Sequence, residues 1–215
     1  MTIVLKIGGA EAVDPAGAID DIVNLSLKGE SLVIVHGGST TIDENLEQMG
    51  ISPRYVETPT GVVGRFTDEA TMKVFTMTMA GLLNTNLVVK LQNLNVNAVG
   101  LSGVDGRLLH GPRKNSIRTI ENGKKKILRG DHSGKITSVN TDLIQLLLNG
   151  GYLPVISPPM LADDGVAVNI DADRVSSSLA GFLSATLVSL TDVTGIYRDI
   201  SDPKTLISYA KNPEQ

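Results

Sequence analysis

Short apolar runs alternate with helical segments along most of the chain, and this alternation limits the possible folds more than any other feature. The apolar runs lie at residues 3–7 (IVLKI), 31–36 (SLVIVH), 96–102 (VNAVGLS), 153–157 (LPVIS) and 186–191 (TLVSLT). Between them, apolar residues recur at the spacing of one helix face, as in Ile19, Ile22, Val23 and Leu27. Strands that alternate with helices predict a three-layer αβα sandwich around an open, mostly parallel sheet.

Composition excludes several classes of protein. The chain has 215 residues, of which 41% are hydrophobic, which is enough for the core of one large domain or two small ones. It contains no cysteine, so a disulfide framework and thiolate metal sites are excluded. No apolar run approaches the roughly 18 residues of a membrane span, and the N-terminus lacks the layout of a signal peptide. We therefore expect a cytoplasmic protein without a membrane segment.

Two of the predicted strands run directly into paired glycines. Residues 6–10 read KIGGA and residues 35–39 read VHGGS, and each is followed by a predicted helix or turn. Ligands of open α/β sheets bind at the carboxyl ends of the strands, and helix N-termini there offer unpaired N–H groups to anions. Glycine lets the backbone approach a phosphate closely, although strand-to-helix turns also use glycine merely to turn. The pair of junctions, with Lys6 beside one of them, favours a phosphate site; the P-loop and G-x-G-x-x-G patterns are both absent.

The segment 107–138 differs from the rest of the chain in charge. Eight basic and two acidic residues lie between Arg113 and Lys135, a net charge of +6, whereas the whole chain has a net charge of −4. The acidic total argues against nucleic-acid binding. Since the segment is rich in β-formers without a helical period, we predict a basic β-hairpin. It is either a docking surface for an acidic partner or a solvated hairpin whose lysines keep an edge strand soluble.

Five ordered motifs extend these inferences. KIGG (6–9), VHGGS (35–39), GRFTDE (64–69), VNIDADR (168–174) and LTDVTGIY (190–197) together resemble the amino acid kinase family. Within it, the chain is similar to N-acetylglutamate kinases and to kinases that act on aminoadipate or glutamate held by an amino-group carrier protein. The resemblance implies the carbamate kinase-like fold, with an open sheet of about eight strands.

The resemblance also implies two lobes. Residues 1–150 would bind the acceptor and form a homodimer, and residues 151–215 would begin the ATP-binding lobe. The family continues with a further helix, a lysine-bearing segment and two closing strands. We therefore expect the nucleotide lobe to be incomplete at the C-terminus.

Roles for individual residues follow from the same resemblance. The catalytic residues would be Lys6, which neutralises the transferring phosphoryl group, and Asp173, which orients it. Asp173 could equally be the N-cap of the next helix, and Thr67 is the predicted N-cap of an earlier one. The acceptor would be held by Gly37, Gly38, Ser39, Arg65 and Asn169, and the phosphates of ATP by Lys6, Gly8, Gly9 and Asp192. ATP would arrive with Mg²⁺, and no tightly bound metal is expected. No general base is needed, because a carboxylate nucleophile is already ionised; His36 is therefore expected to be structural.

The interval GVVGRFT (61–67) favours the carrier-protein branch of the family. The expected partner is an acidic amino-group carrier protein of the LysW type, which would dock on Arg113, Lys114, Lys124, Lys125, Lys126 and Arg129. The predicted activity is ATP-dependent phosphorylation of the side-chain carboxylate of carrier-bound 2-aminoadipate or glutamate, in lysine or arginine biosynthesis. Two alternatives remain: phosphorylation of free N-acetylglutamate, and a non-catalytic regulator that binds an amino acid. We expect no binding to nucleic acid or membranes.

Overall fold

The computed structural model describes residues 1–8, 15–121, 124–191, 195–199 and 201–211. The strands are β1 (Thr2–Ile7), β2 (Ser31–His36), β3 (Tyr55–Glu57), β4 (Val63–Arg65), β5 (Ala98–Gly103), β6 (Leu109–Gly111), β7 (Arg113–Glu121), β8 (Lys124–Gly134), β9 (Ser138–Val139), β10 (Leu153–Ala162), β11 (Ala167–Val168), β12 (Thr186–Leu190), β13 (Ile196–Tyr197) and β14 (Leu206–Ile207). The helices are α1 (Pro15–Leu27), α2 (Ser39–Gln48), α3 (Glu69–Thr76), α4 (Asn84–Asn93), α5 (Thr141–Asn149) and α6 (Ala172–Leu183). Helical turns also occur at Met77–Leu83, Asp105–Arg107 and Pro203–Thr205.

The main sheet has eight strands in the order β12-β1-β2-β10-β6-β9, with β5 and β11 also paired to β10. All pairings among β12, β1, β2, β10, β5 and β6 are parallel, while β9 and β11 pair antiparallel. The predicted mostly parallel sheet is therefore confirmed. It takes strands from both predicted lobes, whose division at residue 150 stays a prediction.

Two hydrophobic cores lie on opposite faces of this sheet. Side chains of a strand alternate between the faces, so that Val4 and Val33 contribute to one core while Leu5 and Leu32 contribute to the other. The first core includes residues of α5 and α6, and the second includes residues of α1 and α4. This double burial explains why the strands read as continuous apolar runs rather than as alternating patterns.

Strand β10 extends five residues beyond its predicted end at Ser157. Its first half pairs with β2 and β5, and its last residues, Met160 to Ala162, pair with β6 and β11. Pro158 and Pro159 lie between these two sets of partners. The two prolines have no backbone N–H to donate. No ladder hydrogen bond is lost there, because the strand changes its pairing partners at this point.

The predicted hairpin is present. Strands β7 and β8 form a separate two-stranded antiparallel sheet, with Arg118 opposite Ile127 and Thr119 opposite Lys126. The outer parts of the predicted 107–138 segment belong to the main sheet instead, where β6 pairs with β9. The hairpin therefore projects from an edge of the main sheet.

A continuous helix runs from Glu69 to Asn93 through α3, a π-helical section (Met77–Leu83) and α4. Its N-cap is Asp68, whose carboxylate accepts the N–H of Thr71 at 2.8 Å, so the predicted cap at Thr67 is wrong. The helix has the length and apolar composition of a membrane span, as many core helices do. Met72, Phe75, Met79 and Leu91 are buried in the protein, and 33% of the most apolar stretch of the helix is buried.

Candidate functional site

A cleft of about 770 Å³ opens at the carboxyl ends of β1 and β2. Eight of the predicted catalytic, acceptor-binding and phosphate-binding residues line it: Lys6, Gly8, Gly37, Gly38, Ser39, Arg65, Asn169 and Asp173. They come from positions spread over most of the chain, and the sheet topology brings them together. Gly9 and Asp192, the other two predicted phosphate-binding residues, lie outside the described residues.

Lys6 carries the positive charge nearest to the ends of the strands. Its ammonium nitrogen lies 2.9 Å from Oδ1 of Asp173, and the Lys6 side chain is 10% exposed against 65% for Asp173. Asp173 stands in the first turn of α6 but does not cap that helix. The N-cap is Asp171, whose Oδ1 accepts the N–H groups of Asp173 and Arg174. Asp173 is thus available to hold Lys6 toward the cleft.

The glycine turn between β2 and α2 presents its backbone to the cleft. The Gly37 N–H donates to Ile7 O at 2.9 Å, which fixes the end of β2 against β1. Gly38 has extended φ, so the requirement for glycine there is one of space. A Cβ atom at Gly38 would overlap Leu83 and Met79 of the π-helical section. Ser39 begins α2, so this turn leads into a helix N-terminus.

Three neighbours hold Arg65 in place: Asp43, Tyr55 and Ser39. Of these, only Ser39 was identified as a site residue from the sequence. The Nε of Arg65 donates to Oδ1 of Asp43 at 3.0 Å, and its Nη2 donates to the Tyr55 hydroxyl at 3.0 Å. Nη2 also lies 2.9 Å from Asp43 and donates to the carbonyl and hydroxyl oxygens of Ser39. The guanidinium is therefore rigid and partly neutralised. A polar Asp43 near the start of α2 was the only signal in the sequence.

A buried carboxylate joins the hairpin to the rest of the site. Asp131, near the end of β8, is 1% exposed and accepts the N–H groups of Thr67 and Ser133 at 3.2 Å, together with the Ser133 hydroxyl. The His132 N–H donates to Thr67 O at 2.7 Å. Asn169 donates its side-chain N–H to the Thr67 hydroxyl at 3.0 Å and its backbone N–H to His132 O. The base of the hairpin, the Arg65 segment and Asn169 are thus hydrogen-bonded as one unit.

The predicted docking residues differ in their positions. Lys124, Lys125, Lys126 and Arg129 lie exposed toward the outer part of the hairpin. Lys114 lines the cleft itself, with Ile117, so strand β7 forms one of its walls. Arg113 is held at the base, where its Nε donates to Asp131 O at 2.8 Å and its Nη1 lies 3.7 Å from Asp164.

His36 is buried behind the glycine turn and does not line the cleft. Its Nε2 is 3.2 Å from the Asn84 side-chain nitrogen, and its Nδ1 is 3.1 Å from Gly37 O. Burial lowers the pKa of His36 below its ordinary value, because the charged imidazolium loses its hydration, and the bond to Gly37 O opposes that effect. His36 is therefore neutral near pH 7.

Within the described residues, no group of three or more His, Asp or Glu side chains is placed to hold a metal ion. The cationic groups at the cleft and the amide-lined turn instead suit an anionic ligand such as a phosphate chain.

The Amino acid kinase family profile matches residues 1–214, and the chain belongs to that family. It is 47% identical over 206 residues to a [LysW]-aminoadipate kinase of Deinococcus radiodurans, covering 95% of this chain and 70% of the relative. It is 42% identical to the [LysW]-aminoadipate kinase of Thermus thermophilus, covering 95% of this chain and 77% of the relative. An acetylglutamate kinase of Methanocaldococcus jannaschii is 38% identical, over 94% of this chain and 67% of the relative.

Solved structures show the same fold at lower identity. The Streptococcus mutans protein smu.665 superposes with a TM-score of 0.73 at 24% identity, covering 92% of this chain and 75% of that one. The N-acetylglutamate synthase of Neisseria gonorrhoeae superposes with a TM-score of 0.70 at 24% identity, covering 96% of this chain and 44% of that one. The predicted fold class is confirmed.

We predict that His36 makes the protein less stable in mild acid. Its pKa in the folded state is lowered, so its contribution is intact above the unfolded value of about 6.5 and is lost as the pH falls toward the folded value. Urea unfolding at pH 7.5 and pH 5.5 measures the loss, which for one such group is at most about 1.4 kcal/mol per pH unit. The variant His36→Asn should lose less stability over the same interval; an equal loss in both proteins would contradict the prediction.

Proposed function

We propose that the protein transfers the γ-phosphoryl group of ATP to the side-chain carboxylate of 2-aminoadipate, or of glutamate, carried on an acidic LysW-type protein. The product is an acyl phosphate on the path to lysine or arginine. The main supporting observation is the place of the basic hairpin, whose strand β7 lines the cleft that also contains Lys6 and Arg65. The relatives named [LysW]-aminoadipate kinases, at 42% and 47% identity, support the same acceptor.

The residues of the cleft suit this reaction. An oxygen of the acceptor carboxylate forms a bond to the γ-phosphorus while the bond to the bridging oxygen breaks and ADP leaves. No proton has to be removed, so the chain needs to position the reactants and stabilise charge. In the proposal, Lys6 and the amides of Gly38 and Ser39 face the transferring group, and Asp173 keeps Lys6 in place. The Gly8 N–H donates to Leu190 O, so Gly8 would line the phosphate site without donating its amide.

The acceptor would occupy the side of the cleft nearer to Arg65. Arg65 would bind its α-carboxylate, and Asn169 would contact its main-chain region. Because Asp43 and Tyr55 hold Arg65 on one side, the guanidinium is preorganised rather than free to follow the ligand. Mg²⁺ would enter with ATP as part of the nucleotide complex. Gly9 and Asp192 lie outside the described residues, and their binding to the phosphates of ATP stays a prediction.

Two further features of the protein belong to the proposal. An exposed apolar hollow of about 270 Å³ on α2 and the long helix includes Met49, Met77 and Leu82, and it supports a homodimer. Light scattering should then give about twice the 22.7 kDa of one chain, whereas the variant Met77→Glu should give the mass of a single chain.

A cytoplasmic location is supported by the use of ATP and by a composition without cysteine.

The activity is tested by trapping the acyl phosphate with hydroxylamine. The protein is incubated with ATP, Mg²⁺ and either carrier-bound aminoadipate, carrier-bound glutamate or free N-acetylglutamate. We expect hydroxamate with a carrier-bound acceptor. Turnover of free N-acetylglutamate alone would favour the acetylglutamate kinase alternative, and no turnover with any acceptor would favour a regulatory protein.

We predict that the hairpin lysines act in carrier binding. Changing Lys124, Lys125 and Lys126 to Glu should raise KM for the carrier at least tenfold, leave KM for ATP unchanged and remove much of the salt dependence, because opposite charges steer the encounter. A matched control changes Lys28, Lys90 and Lys204 to Glu, which alters the net charge equally at exposed positions elsewhere. Equal effects of the two triple variants would contradict local docking.

We predict that Arg65→Ala weakens acceptor binding by about 2 to 4 kcal/mol, since the acceptor carboxylate loses its partner and faces the Asp43 carboxylate without the neutralising guanidinium. Titration calorimetry with the carrier-bound acceptor measures this loss, and ATP affinity is the internal control. The double variant Arg65→Ala with Asp43→Asn removes the repulsion by Asp43 and should recover only part of the lost acceptor affinity, because the guanidinium is still missing. Unchanged affinity in Arg65→Ala would remove Arg65 from the acceptor site.

A further inference from the structure

We propose that Asn84 is a positioning residue for phosphoryl transfer: acting through His36, it sets the orientation of the Gly37–Gly38 peptide at the edge of the cleft. The proposal rests on the proposed function, in which the amide of Gly38 faces the transferring group. Neither Asn84 nor His36 lines the cleft, so both act through the glycine turn.

Asn84 reaches the back of the glycine turn because of the π-helical section that precedes it. In a π-helix the backbone hydrogen bonds span five residues rather than four, so a π-helical section rotates the residues that follow it about the helix axis. Asn84, the first residue of α4, is 4% exposed and points at the sheet, between Val155 of β10 and His36 of β2. A polar amide in this position is costly to bury unless its hydrogen bonds are made.

The surroundings determine which way the amide points. The Val155 carbonyl oxygen can only accept a hydrogen bond, and the Asn84 side-chain atom that faces it at 3.0 Å must therefore be the NH₂ nitrogen. The same nitrogen lies 3.2 Å from His36 Nε2. Its two hydrogens thus serve two acceptors, the carbonyl oxygen and the imidazole nitrogen. It follows that His36 Nε2 carries no hydrogen.

A neutral imidazole without a hydrogen on Nε2 has its hydrogen on Nδ1. The Nδ1–H then donates to the Gly37 carbonyl oxygen, 3.1 Å away. Burial favours the same neutral form, in agreement with this geometry. Asn84 therefore selects the His36 tautomer that can hold the Gly37 carbonyl.

Holding that carbonyl also directs the next amide. In a trans peptide the C=O and N–H bonds point in opposite directions, so the Gly37 carbonyl fixes where the Gly38 N–H points. In the described part of the chain, Gly37 N–H already donates to Ile7 O, whereas no acceptor is found for Gly38 N–H. Leu83 and Met79 of the π-helical section pack against Gly38 from the helix side and allow it no side chain. The Gly38 amide is therefore a preorganised donor that a phosphoryl oxygen can use.

The tautomer is tested first, without reference to activity. Long-range ¹H–¹⁵N NMR correlations of the imidazole rings distinguish Nδ1–H, Nε2–H and doubly protonated histidine, and His36→Asn assigns the signal among the three histidines. At pH 7.5 we expect the neutral Nδ1–H form for His36, and in Asn84→Asp a change to a form with a hydrogen on Nε2. A wild-type His36 with hydrogen on Nε2 would overturn the proposal.

Activity is tested with a variant in which an oxygen replaces the side-chain NH₂ donor of Asn84. Asn84→Asp should lower kcat about 10- to 100-fold with KM for the acceptor changed by less than about twofold, as expected for a misplaced transition-state donor. Asn86→Asp, at an exposed position two residues further along α4, is the matched control and should keep wild-type kcat. An equal kcat for the two variants would overturn the proposal.

A second pair of variants covers the case in which Asn84→Asp folds poorly. His36→Asn places an amide nitrogen where Nδ1 stood and should retain most of kcat, whereas His36→Gln reaches only the Nε2 position and should lose it. Equal kcat in both would overturn the proposal. A protein with the expected tautomer and no kinase activity would instead refute the proposed function, so the two failures are distinguishable.

Discussion

The parallel pairing of β1 with β2 is the constraint on which the rest of the site depends. The register sets Lys6 beside Val35 and Ile7 beside His36, so both strands reach their glycines at the same level of the sheet. Gly37 N–H closes the ladder on Ile7 O, and Gly8 N–H closes it on Leu190 O on the other side of β1. A slip of one residue would turn Lys6 into the opposite layer, because side chains alternate between faces. The apolar residues before Lys6, buried on both faces, fix this register.

Charge in the cleft is arranged as pairs rather than as isolated ions. Lys6 pairs with Asp173 and Arg65 with Asp43, and in each pair the cation is the more buried partner. Such pairs add little to stability on their own, since desolvation offsets the attraction. They hold two long side chains in single orientations before a ligand arrives, and this lowers the entropy cost of binding.

Sequence reasoning recovered the parts of the structure that local patterns determine. The strands, the glycine turns and the basic hairpin follow from apolar periodicity, turn residues and β-formers, and parallel topology then places the strand ends at one edge. The caps were harder, because adjacent residues such as Thr67 and Asp68 are both able to cap. In the structure the Thr67 hydroxyl accepts from the distant Asn169, and Asp68 caps the helix.

The contacts that orient the site could not be inferred in this way. Asp43 and Tyr55 meet Arg65 only because the β3–β4 hairpin packs beside α2, and Asn84 meets His36 only after a π-helical section that has no signal in the sequence. Asp131 likewise contacts residues 64 positions away along the chain. These contacts join polar residues that lie far apart in the sequence. Polar residues of the same types are common on solvated surfaces, so residue type alone did not identify them.

The buried Asp131 has a consequence for how such a protein can diversify. The hydrogen bonds that join β8 to Thr67 and Asn169 lie at its base, in Asp131, His132 and Gly134, and among the described residues those from Lys124 to Arg129 take no part in them. Substitutions toward the tip leave these hydrogen bonds in place, whereas substitutions of Asp131 at the base remove one of them. The outer part of the hairpin can therefore change in sequence, and with it the surface that the hairpin presents, while its attachment to the cleft is kept.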